Sequence, residues 1–180
     1  MSIIQKFSLV ALLLTLLSCN KNNKFRPDYS NGEATAINNG QAWIGQARGA
    51  VNTQNIGIDL IFTVYNDIGE LRQDLYFTRI PPIPGNYALY KIIGQEIDSL
   101  PGCSFTTISH DGDVVEDRYE IVEDIEKSSI TVTSYDEDRR IIRGTFDLML
   151  NRDTSRIKFN PDNPEMLHFE KGEFEVRIEE

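Results

Sequence analysis

The chain reads as an all-β protein, a single antiparallel β-sandwich or flattened meander barrel of about nine or ten strands, and three observations predict it. Apolar and polar residues alternate with a period of two from about residue 34 to the end. No apolar stripe with a period of 3.6 persists for three helical turns. Between the alternating runs stand turn dipeptides, Asn39-Gly40, Asp111-Gly112 and Lys171-Gly172, and the first two readily take the positive φ angles of a type I′ hairpin.

In chain order, a two-residue turn at Asn39-Gly40 sets Ala36 opposite Trp43. "IDLIFTVY" puts Ile58, Leu60, Phe62 and Val64 on one face, which is the signature of a strand with one dry side. "PPIPG" at 81–85 is a stiff connector despite its P-x-x-P spacing. A turn at Asp111-Gly112 would make His110 and Asp113 its closing pair, and "IIRGTFDLML" aligns Ile142, Gly144, Phe146, Leu148 and Leu150. The stretch 151–165 is irregular, with a short edge strand expected around Ile157 to Phe159. A last hairpin at Lys171-Gly172 would pair Phe169 with Phe174 and Leu167 with Val176, and would leave His168 on the wet face opposite Glu175.

The N-terminal region has a different character. Phe7 to Leu17 is apolar apart from Ser8 and Thr15 and follows Lys6, and its 11 residues fall short of the roughly twenty that span a bilayer as a helix. Leu16-Leu17-Ser18-Cys19 resembles the bacterial lipobox, which implies a signal peptide over residues 1–18, cleavage before Cys19 and lipidation of its thiol. Residues 19–32 are then the lipidated cysteine and a polar tether, and 33–180 the all-β domain. With "NNGQAW" at 38–43, "PGNYALY" at 84–90, "GTFDL" at 144–148 and "KGEFEV" at 171–176, the chain resembles the small all-β lipoproteins of unknown function from Bacteroidota. That resemblance implies a cell-envelope address. By the sorting rules of such lipoproteins, Asn20 implies the outer membrane, facing the periplasm.

Without residues 1–18 the chain carries 17 basic and 28 acidic residues, so nucleic acid is excluded as a natural partner. The imbalance is concentrated between Gly94 and Asp138, where thirteen acids face only Arg118 and Lys127. Apart from Cys19 the sole cysteine is Cys103, which forbids an intramolecular disulfide in the lipidated chain and reads as a small core residue.

Chemistry-bearing patterns are sparse. The two histidines, His110 and His168, lack the neighbours of a catalytic triad, and G-x-S-x-G, H-E-x-x-H and C-x-x-C are missing, so no enzyme and no cofactor is expected. His110, Asp111, Asp113, Glu116 and Asp117 crowd one turn and form the candidate calcium or acidic docking site, although the spacing fails the calcium-loop pattern. Tyr65, Tyr76, Tyr87, Tyr90 and Tyr119 are strand residues that would also suit a sugar or peptide groove. The expected function is that of a non-enzymatic, membrane-anchored binding module for an envelope protein or glycan. The alternative is a small apolar ligand carrier with a lipocalin-like barrel.

Overall fold

The computed structural model describes residues 31–52, 56–92, 100–122 and 128–179. The signal peptide, Cys19, most of the tether and part of the acidic stretch lie outside these residues. Eleven strands are formed among the described residues: β1 (Gly32–Asn38), β2 (Gln41–Val51), β3 (Ile58–Tyr65), β4 (Leu71–Ile80), β5 (Gly85–Ala88) and β6 (Tyr90–Lys91). They continue with β7 (Gly102–Ile108), β8 (Val115–Ile121), β9 (Ser129–Asp136), β10 (Ile141–Arg152) and β11 (Met166–Glu179). No helix occurs among the described residues.

The sheet closes on itself, so of the sandwich and the barrel that the sequence leaves open, the barrel forms and the sandwich does not. Eight strands form an antiparallel ring in the order β1-β2-β3-β4-β7-β8-β10-β11, and β11 returns to β1. The extra strands arise because β10 outruns its neighbour: its last residues pair with β8, while Ile141 to Asp147 pair with β9, which in turn holds β5. Short β6 lies parallel to the start of β7.

The predicted turn at Lys171-Gly172 is a bulge, not a hairpin. β11 runs through it as one 14-residue strand between β1 and β10, and Lys171 takes φ 53°. On β10, Phe146 faces Gly172 and Leu148 faces Phe169, so β11 carries one extra residue and its dry side switches from 167 and 169 to 172, 174 and 176. A Cβ on Gly172 would stand 2.4 Å from the Phe146 ring, which is why only glycine fits there. The bulge also moves His168, which sits 3.3 Å from Asp147, while Glu175 takes Arg143 at 2.6 Å.

The alternation places the core inside the barrel. Phe62 packs against Phe77, Phe146 and Phe174 with ring centroids 5.3, 5.8 and 5.6 Å apart, and all four rings are buried. Above this layer Phe169 meets Trp43 and Phe105, each at 5.4 Å, and Phe105 meets Tyr119. Cys103 lies in the same core, and burial pushes its thiol pKa far up, as its reading as an inert core residue requires. Outward positions of β11 are Glu173, Glu175, Arg177 and Glu179, the reverse of the apolar exterior that a membrane-spanning barrel presents.

Two poles result. The chain enters the barrel at a proximal pole, where Gly32 pairs with Ala47 and Val176. The turns at 39–40, 66–70 and 109–114 and the irregular segment 153–165 gather at the opposite, distal pole.

Candidate functional site at the distal mouth of the barrel

Asn38, Gln41, Gln73, Thr107 and Asp117 occupy inward phases at distal strand ends and lie above the aromatic core, beside the apolar Val64 and Leu167. The set begins at the Asn39-Gly40 turn, whose φ angles of 47° and 79° are those predicted for a type I′ hairpin, and Ala36 faces Trp43 as expected. Asn39 ties this turn to β11: its side chain donates to the Met166 carbonyl at 3.1 Å and accepts from the His168 amide at 2.8 Å. Beside it, the Trp43 indole N–H donates to Gln73 Oε1 at 2.7 Å, which fixes both side chains.

Across the mouth, Asn163 and Pro164 form a strap. Asn163 Nδ2 donates to Asp117 Oδ2 at 2.7 Å and to Thr107 Oγ1 at 3.2 Å, and the Tyr119 hydroxyl donates to the Pro164 carbonyl at 2.8 Å. Burial, reinforced by the Asp117 charge, pushes the Tyr119 pKa up to about 12, so it remains a donor across the physiological range.

Between strap and turn lies a pocket of about 300 Å³, with Trp43, Phe105, Tyr119 and Leu167 as its apolar floor. Its lining contains no charged residue. Asn38 lines it too, and its Oδ1 is shut off from water without a hydrogen-bond partner. A larger depression of about 540 Å³ lies over β8 and β10, where Lys91 pairs with Glu120, Arg152 Nε with Glu165 and Asp153 with Arg156, while Arg152 Nη1 is buried without a hydrogen-bond partner.

The structure divides the five residues of the candidate calcium or acidic docking site. Asp117 is 3% exposed and is consumed by the strap, accepting from Asn163 and from the Phe159 amide. His110, Asp111, Asp113 and Glu116 stay outside. The hairpin there is wider than expected: Ser109 and Val114 close it, with the Ser109 amide bonded to the Val114 carbonyl at 2.8 Å, and Arg72 holds the carbonyls of Ser109 and His110. Hydrogen bonds from Ser109 and Asp113 hold the Asp111 carboxyl below its usual range, whereas its hydrogen bond and charge push Asp113 up. Glu116 accepts from the Asn160 side chain at 3.5 Å. Among the described residues, no three His, Cys, Asp or Glu side chains come together as a metal site.

The five tyrosines do not line a common groove. Tyr76 donates to Asp59 on the outer face, Tyr87 to the Ile83 carbonyl, and Tyr119 alone reaches the mouth. The expected edge strand at 157–159 is absent from the described residues, and Ile157 is instead 93% exposed. Asn38, Gln73, Thr107 and Asn163 were not singled out by the sequence reading, yet the first three occupy inward phases of their strands. A polar residue in a dry phase at a strand end is the signal that marks a barrel mouth.

One outer-face carboxyl has a stability consequence. Asp74 accepts from Thr63 at 2.9 Å, but burial outweighs this bond and the nearby Arg48, and its pKa is raised. A raised folded-state pKa means that stability falls as pH climbs from the unfolded aspartate value through the folded one, leaving a penalty at neutrality. Asp74→Asn keeps the Thr63 bond and removes the charge. The expected result is a higher thermal midpoint at pH 7, with the gain vanishing once the wild-type carboxyl is protonated in acid.

No family model, curated protein or solved structure matches the chain.

Proposed function

We propose that the protein is a non-enzymatic, lipid-anchored binding module of the bacterial cell envelope, held by Cys19 at the outer membrane, that presents its distal pole to a protein or glycan. The observation that carries this reading is polarity of placement. The tether joins the barrel at the proximal pole; exposed apolar side chains occur at both poles, Val51, Ile56, Ile83 and Leu100 proximally and Ile68, Val114, Ile157, Phe159 and Met166 distally, but only the distal set shares its pole with the mouth pocket. Apolar side chains beside a pocket and away from the anchor are the ones placed to meet a partner. The acids of the 109–116 loop flank this pole and would favour a basic partner over an acidic one.

The alternative, a small apolar ligand carrier, has the closed eight-strand ring in its favour. It needs interior space, and the positions that would line such a cavity are filled by Phe62, Phe77, Phe146 and Phe174.

Retention on isolated envelope fragments tests the binding pole. A triple variant, Ile157→Ser with Phe159→Ser and Met166→Ser, is expected to lose at least about tenfold in retention, since a few apolar anchors dominate most interfaces. Its thermal midpoint should stay close to wild type, because all three side chains are exposed. Unchanged retention would overturn the assignment of the distal pole.

A further inference from the structure

Taking the distal pole as the binding face, we propose that its mouth pocket holds one neutral, hydroxyl-bearing pyranose unit of a glycan. The size comes first. About 300 Å³ is at the lower end of ligand pockets, roughly 300–1,000 Å³, so the occupant is a single small unit and not an extended chain.

Charge comes next. A charged ligand entering a lining free of Asp, Glu, Lys, Arg and His would lose water and find no counter-charge. A purely apolar ligand fails for the opposite reason, since it would cover the amides of Gln41, Gln73 and Asn163 that line the pocket and leave their remaining hydrogen-bonding capacity unmet. The occupant is therefore neutral and rich in hydrogen-bonding groups.

A hydroxyl fits best, because it both donates and accepts and so can meet the oxygen or the nitrogen of an amide. Amides approach the pocket from separate directions: Asn38 from β1, Gln41 from β2, Gln73 from β4 and Asn163 from the strap. A ring carrying hydroxyls around its edge can meet several of them together, whereas one peptide side chain brings a single polar group. The C–H face of the sugar then rests on the Trp43 and Leu167 floor. Gln73 and Asn163 are already oriented by Trp43 and Asp117, so little ordering is required on binding.

The test uses the full chain in detergent micelles on arrays of neutral glycans, charged glycans and unmodified peptides. Wild type is expected to bind neutral glycans, and Asn38→Leu to lose at least tenfold in apparent affinity. Gln41→Leu, at an exposed position where misfolding is not a concern, should weaken the same glycans severalfold. Binding only to peptides or charged glycans, no binding to any neutral glycan, or wild-type binding by both variants would overturn the sugar assignment. If neutral glycans fail but the rim triple variant still loses envelope retention, the pyranose pocket is wrong and the binding pole stands. If the rim variant is retained like wild type, the pole itself is wrong.

Discussion

Phe62→Ala is expected to lower unfolding stability by about 3–5 kcal/mol, the range for deleting a buried phenylalanine. Phe62 is fully buried and is the one ring in contact with Phe77, Phe146 and Phe174 together, so its loss leaves a void that three aromatic neighbours cannot all relax to fill. For a chain of 180 residues, where each kcal/mol moves the midpoint by about 2–4 °C, a fall of roughly 10 °C should appear in a thermal scan. The same variant separates the filled barrel from the apolar carrier. Engineered apolar cavities bind small aromatic molecules, so benzene should stabilise Phe62→Ala and leave wild type unchanged. Stabilisation of wild type by benzene, or a loss under about 1 kcal/mol in the variant, would show that the interior is not packed as described.

The strands were legible because a dry face every second residue is a local property. Ile58, Leu60 and Phe62 on β3, and Phe174, Val176 and Ile178 on β11, are buried as their phases require. Closure was not legible, because a sandwich and a barrel show the same alternation, and the deciding contact is β11 with both β1 and β10. Lys171-Gly172 shows the limit most clearly. Leu167 and Phe169 occupy odd positions and Phe174 and Val176 even ones, and either a two-residue hairpin or a one-residue bulge accounts for the switch. Which of them forms depends on whether neighbours wait on both sides of a 14-residue strand, a fact about distant sequence. Asp117 is another kind of miss. It shares its phase with Tyr119 and Ile121, so its burial was readable, but its place in an acidic run drew attention to charge before phase.

Cys19→Ser is expected to move the protein from the membrane pellet to the wash, the largest change in location that one substitution can make here. Two acyl chains give a stable anchor where one holds only reversibly, and a serine hydroxyl cannot replace the thiol that accepts them. Lipoprotein-type processing should stop with it. The barrel should still fold, because Cys19 lies outside the described strands and the remaining cysteine, Cys103, is buried without a disulfide. Thermal unfolding of variant and wild type should therefore coincide and ignore added reductant, whereas dependence on reductant would show a disulfide that the sealed position of Cys103 opposes. Labelled lipid on the serine variant, or its persistence on salt-washed membranes, would refute the anchor. Persistence that disappears when Ile157, Phe159 and Met166 are replaced by serine would instead locate the attachment at the distal pole, with the mouth of the barrel turned toward the membrane and not away from it.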